Sequence, residues 1–167
     1  MNKNTFIISI LTLILDQVSK IIMVHVLSFK KSITIINNFF NLTLVYNRGA
    51  AWGLFSDNKI VLTLFTIIAI FIIVNFLKTF KNNIRNNIAF GLLLGGMAGN
   101  LIDRLFLGYV RDFLDFKILN YNYPVFNISD IAIVISIILL IYAVIKGEDK
   151  NGNPSRGKWY KIRQIFM

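Results

Sequence analysis

The chain has no cysteine and a single histidine, His25. Thiol nucleophiles, cysteine metal sites and clustered-histidine metal sites are therefore excluded. The chemistry left is that of serine and of carboxylates, and only eight acidic residues are present. Asp16, Asp103, Asp112 and Asp130 lie within or beside long apolar runs. Asp57 and Asp115 fall between runs, and Glu148 and Asp149 lie in the tail. An ionisable group inside a membrane span costs roughly 2.5–3.5 kcal/mol at the helix centre on insertion scales, so each needs a partner or a role. Two carboxylates gathered around one water share a proton: like charges at short range do not both ionise, and one becomes acid, the other base. Such a pair hydrolyses amides without thiol, imidazole or metal, and no cofactor is expected.

Each polar group also has a plainer reading. Asp16 and Lys20, in "LDQVSK", are four residues apart and share a helix face. They form either a tolerated buried ion pair or a strut that orients a site. In "NRGAAWGLF", Gly49 and Gly53 permit tight turns, and Asn47 and Arg48 could offer donors to a peptide. In "GLLLGGMAGNLIDR", Gly91, Gly95 and Gly99 repeat every four residues, the pattern of close helix approach. Asn100, Asp103 and Arg104 follow on one side of that helix, either ending it or lining a site. "YVRDFLDF" places Asp112 and Asp115 among apolar neighbours, as solvated loop acids or as carboxyls drawn to the membrane surface. In "FNISD", Asn127, Ser129 and Asp130 are all good helix caps.

The elements that must position these groups are set by composition. The 167 residues are 56% hydrophobic and 16% charged, too apolar for an ordinary soluble domain. Four runs, about 5–27, 60–77, 88–107 and 126–145, are of bilayer length, and in lipid they must be helices. The first resembles a signal peptide. Asp16 and Lys20 interrupt it, however, and no small-residue cleavage site follows, so it is expected to remain attached.

The net charge of +10 gathers in segments that four spans put on one side: Lys3; Lys78, Lys81 and Arg85; and Lys146 onward. The positive-inside rule makes that side the cytoplasm and leaves no need for a nucleic-acid partner. The outer segments are then 28–59 and 108–125. "SITIINNFFNLTLVYN" reads as a small β-hairpin with a turn at Asn37-Asn38, and Tyr46, Trp52, Tyr109, Tyr121 and Tyr123 suit the headgroup level. One integral membrane domain, residues 1–167, is expected. Its tail, 147–167, is either an interfacial amphipathic segment or a disordered basic one.

"DQVSK", "NRGAAWG", "GNLIDR", "VRDFLD" and "FNISD" occur here in the order and spacing of the lipoprotein signal peptidases (signal peptidase II), bacterial aspartic membrane proteases. The chain resembles that family over almost its whole length. The resemblance implies an all-α integral membrane protein: four transmembrane helices, a small extracytoplasmic β-cradle and an interfacial lid. It implies an aspartic endopeptidase that cleaves diacylglyceryl-modified prolipoproteins just before the lipidated cysteine, and a bacterial cytoplasmic membrane location with both termini cytoplasmic. By the same resemblance Asp112 and Asp130 are the catalytic pair. Asn47, Gly49, Asn100, Arg104 and Asn127 line the pocket or contact the peptide. Asp16, Lys20 and Asp103 support it, Asp103 being the reserve candidate for a catalytic partner. Membrane lipid and globomycin-type inhibitors are further expected partners, and a monomer is the expected state. Ser129 stands where the family usually has alanine.

Two other classes compete. Intramembrane carboxylates often carry protons or ions, but a transporter tends to show repeats and helices broken at the midplane, whereas here no repeat appears and the polar groups gather near one leaflet. A scaffold that uses the glycine face to bind a partner span leaves the paired aspartates unexplained.

Overall fold

The computed structural model describes residues 1–27, 32–49, 58–119 and 121–148. In chain order the elements are α1 (Lys3–Leu27), β1 (Ser32–Ile36), β2 (Phe40–Asn47), α2 (Lys59–Leu77), α3 (Ile84–Phe106), β3 (Val110–Ile118), β4 (Tyr121–Asn122) and α4 (Ile128–Ile145). All four helices are long and apolar enough to cross a membrane. Parts of the outer segments expected to form the cradle and lid, including 50–57 with Trp52 and Asp57, and the tail from residue 149 lie outside the described residues.

The helices are not equivalent. In α2 the most apolar window has mean hydropathy 2.9 and only 6% of it is buried within the protein, so the helix faces outward nearly all round. In α3 the corresponding window has mean hydropathy 1.3 and 56% is buried. It is the central helix, packed against α1, α2 and α4. Its glycines let it sit there. A Cβ on Gly91 would stand 2.6 Å from Ile8, one on Gly95 2.5 Å from the Ser9 carbonyl oxygen, and one on Gly96 2.7 Å from the Ser129 carbonyl oxygen. The four-residue repeat therefore seats α1, and Gly96 opens the next face to α4. The interior so formed is polar. The largest fully buried side chains include Lys20, Asn86, Asn127, Asp16 and Asp103.

All four helix starts differ from the hydropathy reading, α1 and α2 beginning earlier at Lys3 and Lys59, and the other two are instructive. α3 begins at Ile84, not Ile88, and Arg85 is helical rather than part of the connection. Asn83 caps it by accepting the Asn86 N–H at 2.9 Å. Buried Asn86 and Asn87 bond the Lys81 carbonyl and Thr5. Polarity that reads as a loop is here partly taken up by folding, although Asn86 Oδ1 has no hydrogen-bond partner among the described residues. α4 begins at Ile128, not Phe126, because Asn127 is the cap and Phe126 bridges to Leu114.

The sheet is also larger than one hairpin: four antiparallel strands in the order β1-β2-β3-β4. The expected β1–β2 hairpin is present, with Asn38 at φ 59° in its turn. The segment carrying Asp112 and Asp115, open in the sequence between loop acids and carboxyls drawn to the membrane surface, is strand β3, which pairs Val45 with Asp112 and Asn47 with Val110. At the opposite end of the bundle Asn2 meets Asn82 at 2.6 Å, and the Lys81 N–H, Asn83 and Arg85 all meet Glu148. The start of the chain, the α2–α3 connection and the end of α4 thus share one end, and the sheet occupies the other.

Gly95→Ala is expected to force α1 away from α3 and lower stability by about 1–3 kcal/mol, as overpacked interiors do. Thermal denaturation in detergent measures this, and an unchanged melting temperature would mean that α1 is not held at that contact.

Candidate active site

Four elements converge beneath the sheet. α4 contributes Asn127 at its cap and Asp130 in its first turn, tied as a reciprocal capping box. The Asn127 side chain accepts the Asp130 N–H at 3.1 Å, and Asp130 Oδ2 accepts the Asn127 N–H at 3.1 Å. Of the three possible caps in "FNISD", Asn127 is therefore the cap and Asp130 its partner. The amide of Asn127 remains free to reach outward. Its Nδ2 donates to Asp112 Oδ1 at 2.6 Å and to Asn100 Oδ1 at 3.1 Å.

β3 brings Asp112, 2% exposed, to this point. Its other oxygen accepts from Asn47 Nδ2, on the neighbouring strand β2, at 2.9 Å. The Gly49 N–H donates to Asn47 Oδ1 at 2.9 Å, which turns the amide donor toward Asp112. Asp130 in turn accepts from Asn100 Nδ2 at 2.9 Å. Each oxygen of both carboxylates thus receives one fixed N–H donor.

Behind them lies a charge cluster. Lys20, fully buried, pairs with Asp16 at 2.8 Å and Asp103 at 3.3 Å, and donates to Asn100 Oδ1 at 2.9 Å. Because Lys20 and Asn127 both donate to that oxygen, Asn100 must present its NH₂ to Asp130. The Asp16–Lys20 pair is not isolated, since Lys20 also meets Asp103 and Asn100. Asp16 also accepts the Ser129 N–H at 3.0 Å, joining α1 to the start of α4. Gly99 sits at this junction, where a Cβ would collide with both Asp16 Oδ2 and Ser129 Oγ. The Ser129 hydroxyl is buried with no hydrogen-bond partner among the described residues, and it leaves the bonds of Asp130 untouched.

Asp112 and Asp130 open on one cavity of about 880 Å³, whose wall also holds Asn47, Asn100 and Arg104. The rest of the wall is mostly apolar and aromatic, including Phe116, Tyr123 and, along α4, Ile131, Val134 and Ile135. Burial pushes the Asp112 carboxyl up to about 7. The nearby charge of Asp130 adds to the rise, while the Asn47 and Asn127 donors oppose it. Arg104 is the cation of the cavity wall. Asp115 is turned elsewhere, accepting from Thr43 at 2.7 Å.

Asp103 does not line the cavity, although Asn100 and Arg104 beside it do. Its carboxylate faces α1 and β3, where Lys20, Gln17 and Arg111 engage both oxygens. The geometry therefore gives it a supporting position and does not bring it to Asp112 or Asp130. Sequence reasoning passed over Gln17 and Arg111. Both stand inside quoted motifs, and the one available signal was strand alternation, which turns Arg111 to the face opposite Asp112.

A sequence model of the family described as signal peptidase (SPase) II matches residues 8–146. The lipoprotein signal peptidase of Staphylococcus haemolyticus (strain JCSC1435) is 38% identical over 143 residues, covering 85% of this chain and 90% of that protein. That of Staphylococcus aureus (strain JH9) is also 38% identical over 143 residues, covering 85% and 88%. A solved structure described as a bacterial membrane enzyme, obtained by the in meso method at 2.3 Å resolution, superposes with a TM-score of 0.77. It is 35% identical and covers 92% of this chain and 93% of its own.

Asn47→Ala removes a donor that favours the charged form of Asp112. The Asp112 pKa is then expected to rise further above its ordinary value, as read by ¹³C carboxyl shifts in a pH titration. A fall, or no change, would show that this bond does not act on the carboxyl.

Proposed function

Because the chain belongs to the signal peptidase II family of peptide hydrolases, we propose that it removes signal peptides from prolipoproteins by aspartic catalysis with Asp112 and Asp130. The observation that carries this reading is the sharing of Asn127: one side chain and its own N–H tie both carboxylates at the wall of one apolar cavity.

With Asp112 pushed up to about 7 by burial, the pair keeps one proton at neutral pH and below. Asp112 holds that proton at rest. Asp130 takes a proton from water as the water oxygen attacks the scissile carbonyl carbon, and Asp112 hydrogen-bonds the carbonyl oxygen as negative charge develops there. Collapse of the tetrahedral intermediate breaks the C–N bond, and the departing amine receives the proton from Asp130. Asn47, Asn100 and Asn127 hold the two carboxyls in register, and Arg104 and Asn47 meet the peptide backbone.

The wall of the cavity suits the lipid-modified substrates that the family membership implies. Val134 and Ile135 line it and are also 57% and 44% exposed on α4, a face that meets lipid in a spanning helix. A diacylglyceryl chain can approach from the bilayer without crossing water, in keeping with the cleavage just before a lipidated cysteine that the family membership implies. The positive-inside rule assigns the Glu148 end of the bundle, with both termini, to the cytoplasm of a bacterial cell. The carboxylate pair then lies at the outer leaflet. Residues 1–167 act as one monomeric peptidase domain, open to globomycin-type inhibitors.

Asp112→Asn and Asp130→Asn are each expected to abolish cleavage of a diacylglyceryl-modified precursor while the protein still inserts and folds. Asparagine at position 130 can still accept the Asn127 N–H, so a cap-only role predicts nearly full activity instead. Processing at the normal rate by either purified variant would defeat the reading. Wild-type turnover is expected to decline as pH rises through about 7, where Asp112 gives up its proton, and to survive EDTA. A pH–rate profile of kcat/KM in detergent checks the first, and chelation followed by metal add-back checks the second.

A further inference from the structure

We propose that Arg111 is a positioning residue that sets the placement of both carboxylates, acting through Asp103 and Gln17. This rests on the aspartic reading above.

Arg111 precedes Asp112 in β3, so the two side chains leave the strand on opposite faces. Asp112 faces the cavity. The Arg111 guanidinium runs back into the helix bundle, where its side chain is 12% exposed. There it meets Asp103 as a fork: Nε reaches Oδ2 at 3.2 Å and an Nη reaches Oδ1 at 2.6 Å. The Arg111 backbone N–H also donates to Oδ2, at 3.0 Å. The same Nη donates to Gln17 Oε1 at 2.8 Å, and Gln17 Nε2 returns to Asp103, Asp16 and the Gly99 carbonyl, each at 3.1 Å. The start of β3 is thus pinned to α3 and α1 one residue before the carboxyl it must present.

The clasp reaches Asp130 by a second route. Asp16 and Asp103 are balanced by Lys20 and Arg111, two carboxylates against two cations. Without the guanidinium, Asp103 keeps the neutral donors of Gln17 and the residue-111 N–H, but Lys20 is the one cation left to it among the described residues. Lys20 is then drawn away from Asn100, and Asn100 loses the bond that aims its NH₂ at Asp130. A planar five-donor fork fits these acceptors, and a lysine ammonium keeps the charge but cannot reproduce the geometry.

The test compares Arg111→Lys, Arg111→Met and Gln17→Met with wild type and Asp112→Asn, using a diacylglyceryl-modified precursor and counting only folded, monodisperse protein. The expected result is a fall in kcat of about tenfold for Arg111→Lys, short of the roughly hundredfold that a 1 Å misplacement can cost. Arg111→Met should fall further and Gln17→Met less, with KM within about twofold throughout. A merely structural role lowers the melting temperature and the folded yield but leaves kcat per folded molecule unchanged. Wild-type kcat in folded Arg111→Lys and Gln17→Met would overturn the proposal. Because both keep Asp103 paired, they carry the test even where Arg111→Met does not fold. Cleavage by Asp112→Asn would instead defeat the aspartic reading, so the two failures are distinct.

Discussion

The carboxamide of Asn127 is the joint on which the site depends. Both of its amide hydrogens, its oxygen and its backbone N–H are engaged, to Asp112, Asn100 and the two ends of Asp130. A carboxamide has a fixed donor edge and a fixed acceptor edge, so this pattern admits one orientation. That orientation sets the separation and facing of two acids that would otherwise repel. Capping α4 and assembling the site are consequently a single act of folding. The helix cannot start in register without bringing Asp130 to the cavity.

The surrounding architecture answers a problem peculiar to a bilayer. Lipid is as apolar as leucine, so burying hydrocarbon drives little helix association there, and close packing and polar contacts must do more. The protein accordingly turns hydrocarbon outward and polarity inward. Glycines on α3 let α1 approach until Ser9 and Thr12 touch its backbone, and the polar cluster forms where that approach is closest. The buried charges are close to balanced. Asp16 and Asp103 face Lys20 and Arg111, and with Arg104 beside the cavity the remaining pair is neutralised when it keeps one proton. Electroneutrality in a poorly solvated interior thus favours the protonation state that the proposed chemistry needs.

Reading the sequence recovered much of this, for identifiable reasons. The spans were visible because the bilayer sets their length. The glycine repeat and the Asp16–Lys20 pair were visible because helical spacing alone places those residues together. The start of α3 was misjudged because Arg85, Asn86 and Asn87 look like a loop until their partners Glu148, Lys81 and Thr5 are known. Asp103 was grouped with Asn100 and Arg104 on spacing, yet a turn of a central helix meets different neighbours on either side. Arg111 and Gln17 escaped notice because their significance lies wholly in contacts across 8 to 94 positions of chain.

What the sequence determined by itself was membership and inventory: a four-span membrane protein, no thiol or paired imidazole to work with, and a few carboxylates placed near one end of the spans. The inventory follows from composition, run length and charge placement, and the membership from five short motifs in the family's order, all properties of the chain itself. The motifs named Asp112 and Asp130 through the resemblance, and only the tertiary structure shows how the two reach one cavity. Asp112 comes from a strand and Asp130 from a helix start, and apart from the motifs nothing local distinguishes them from Asp103 or Asp115. Strand pairing across β2–β3, the capping geometry at Asn127 and the cations behind them separate two acids open to the cavity from one sealed in a clasp and one tied to Thr43. Protonation and direction of approach depend on burial and on neighbours distant in sequence, and these exist only once the helices have packed.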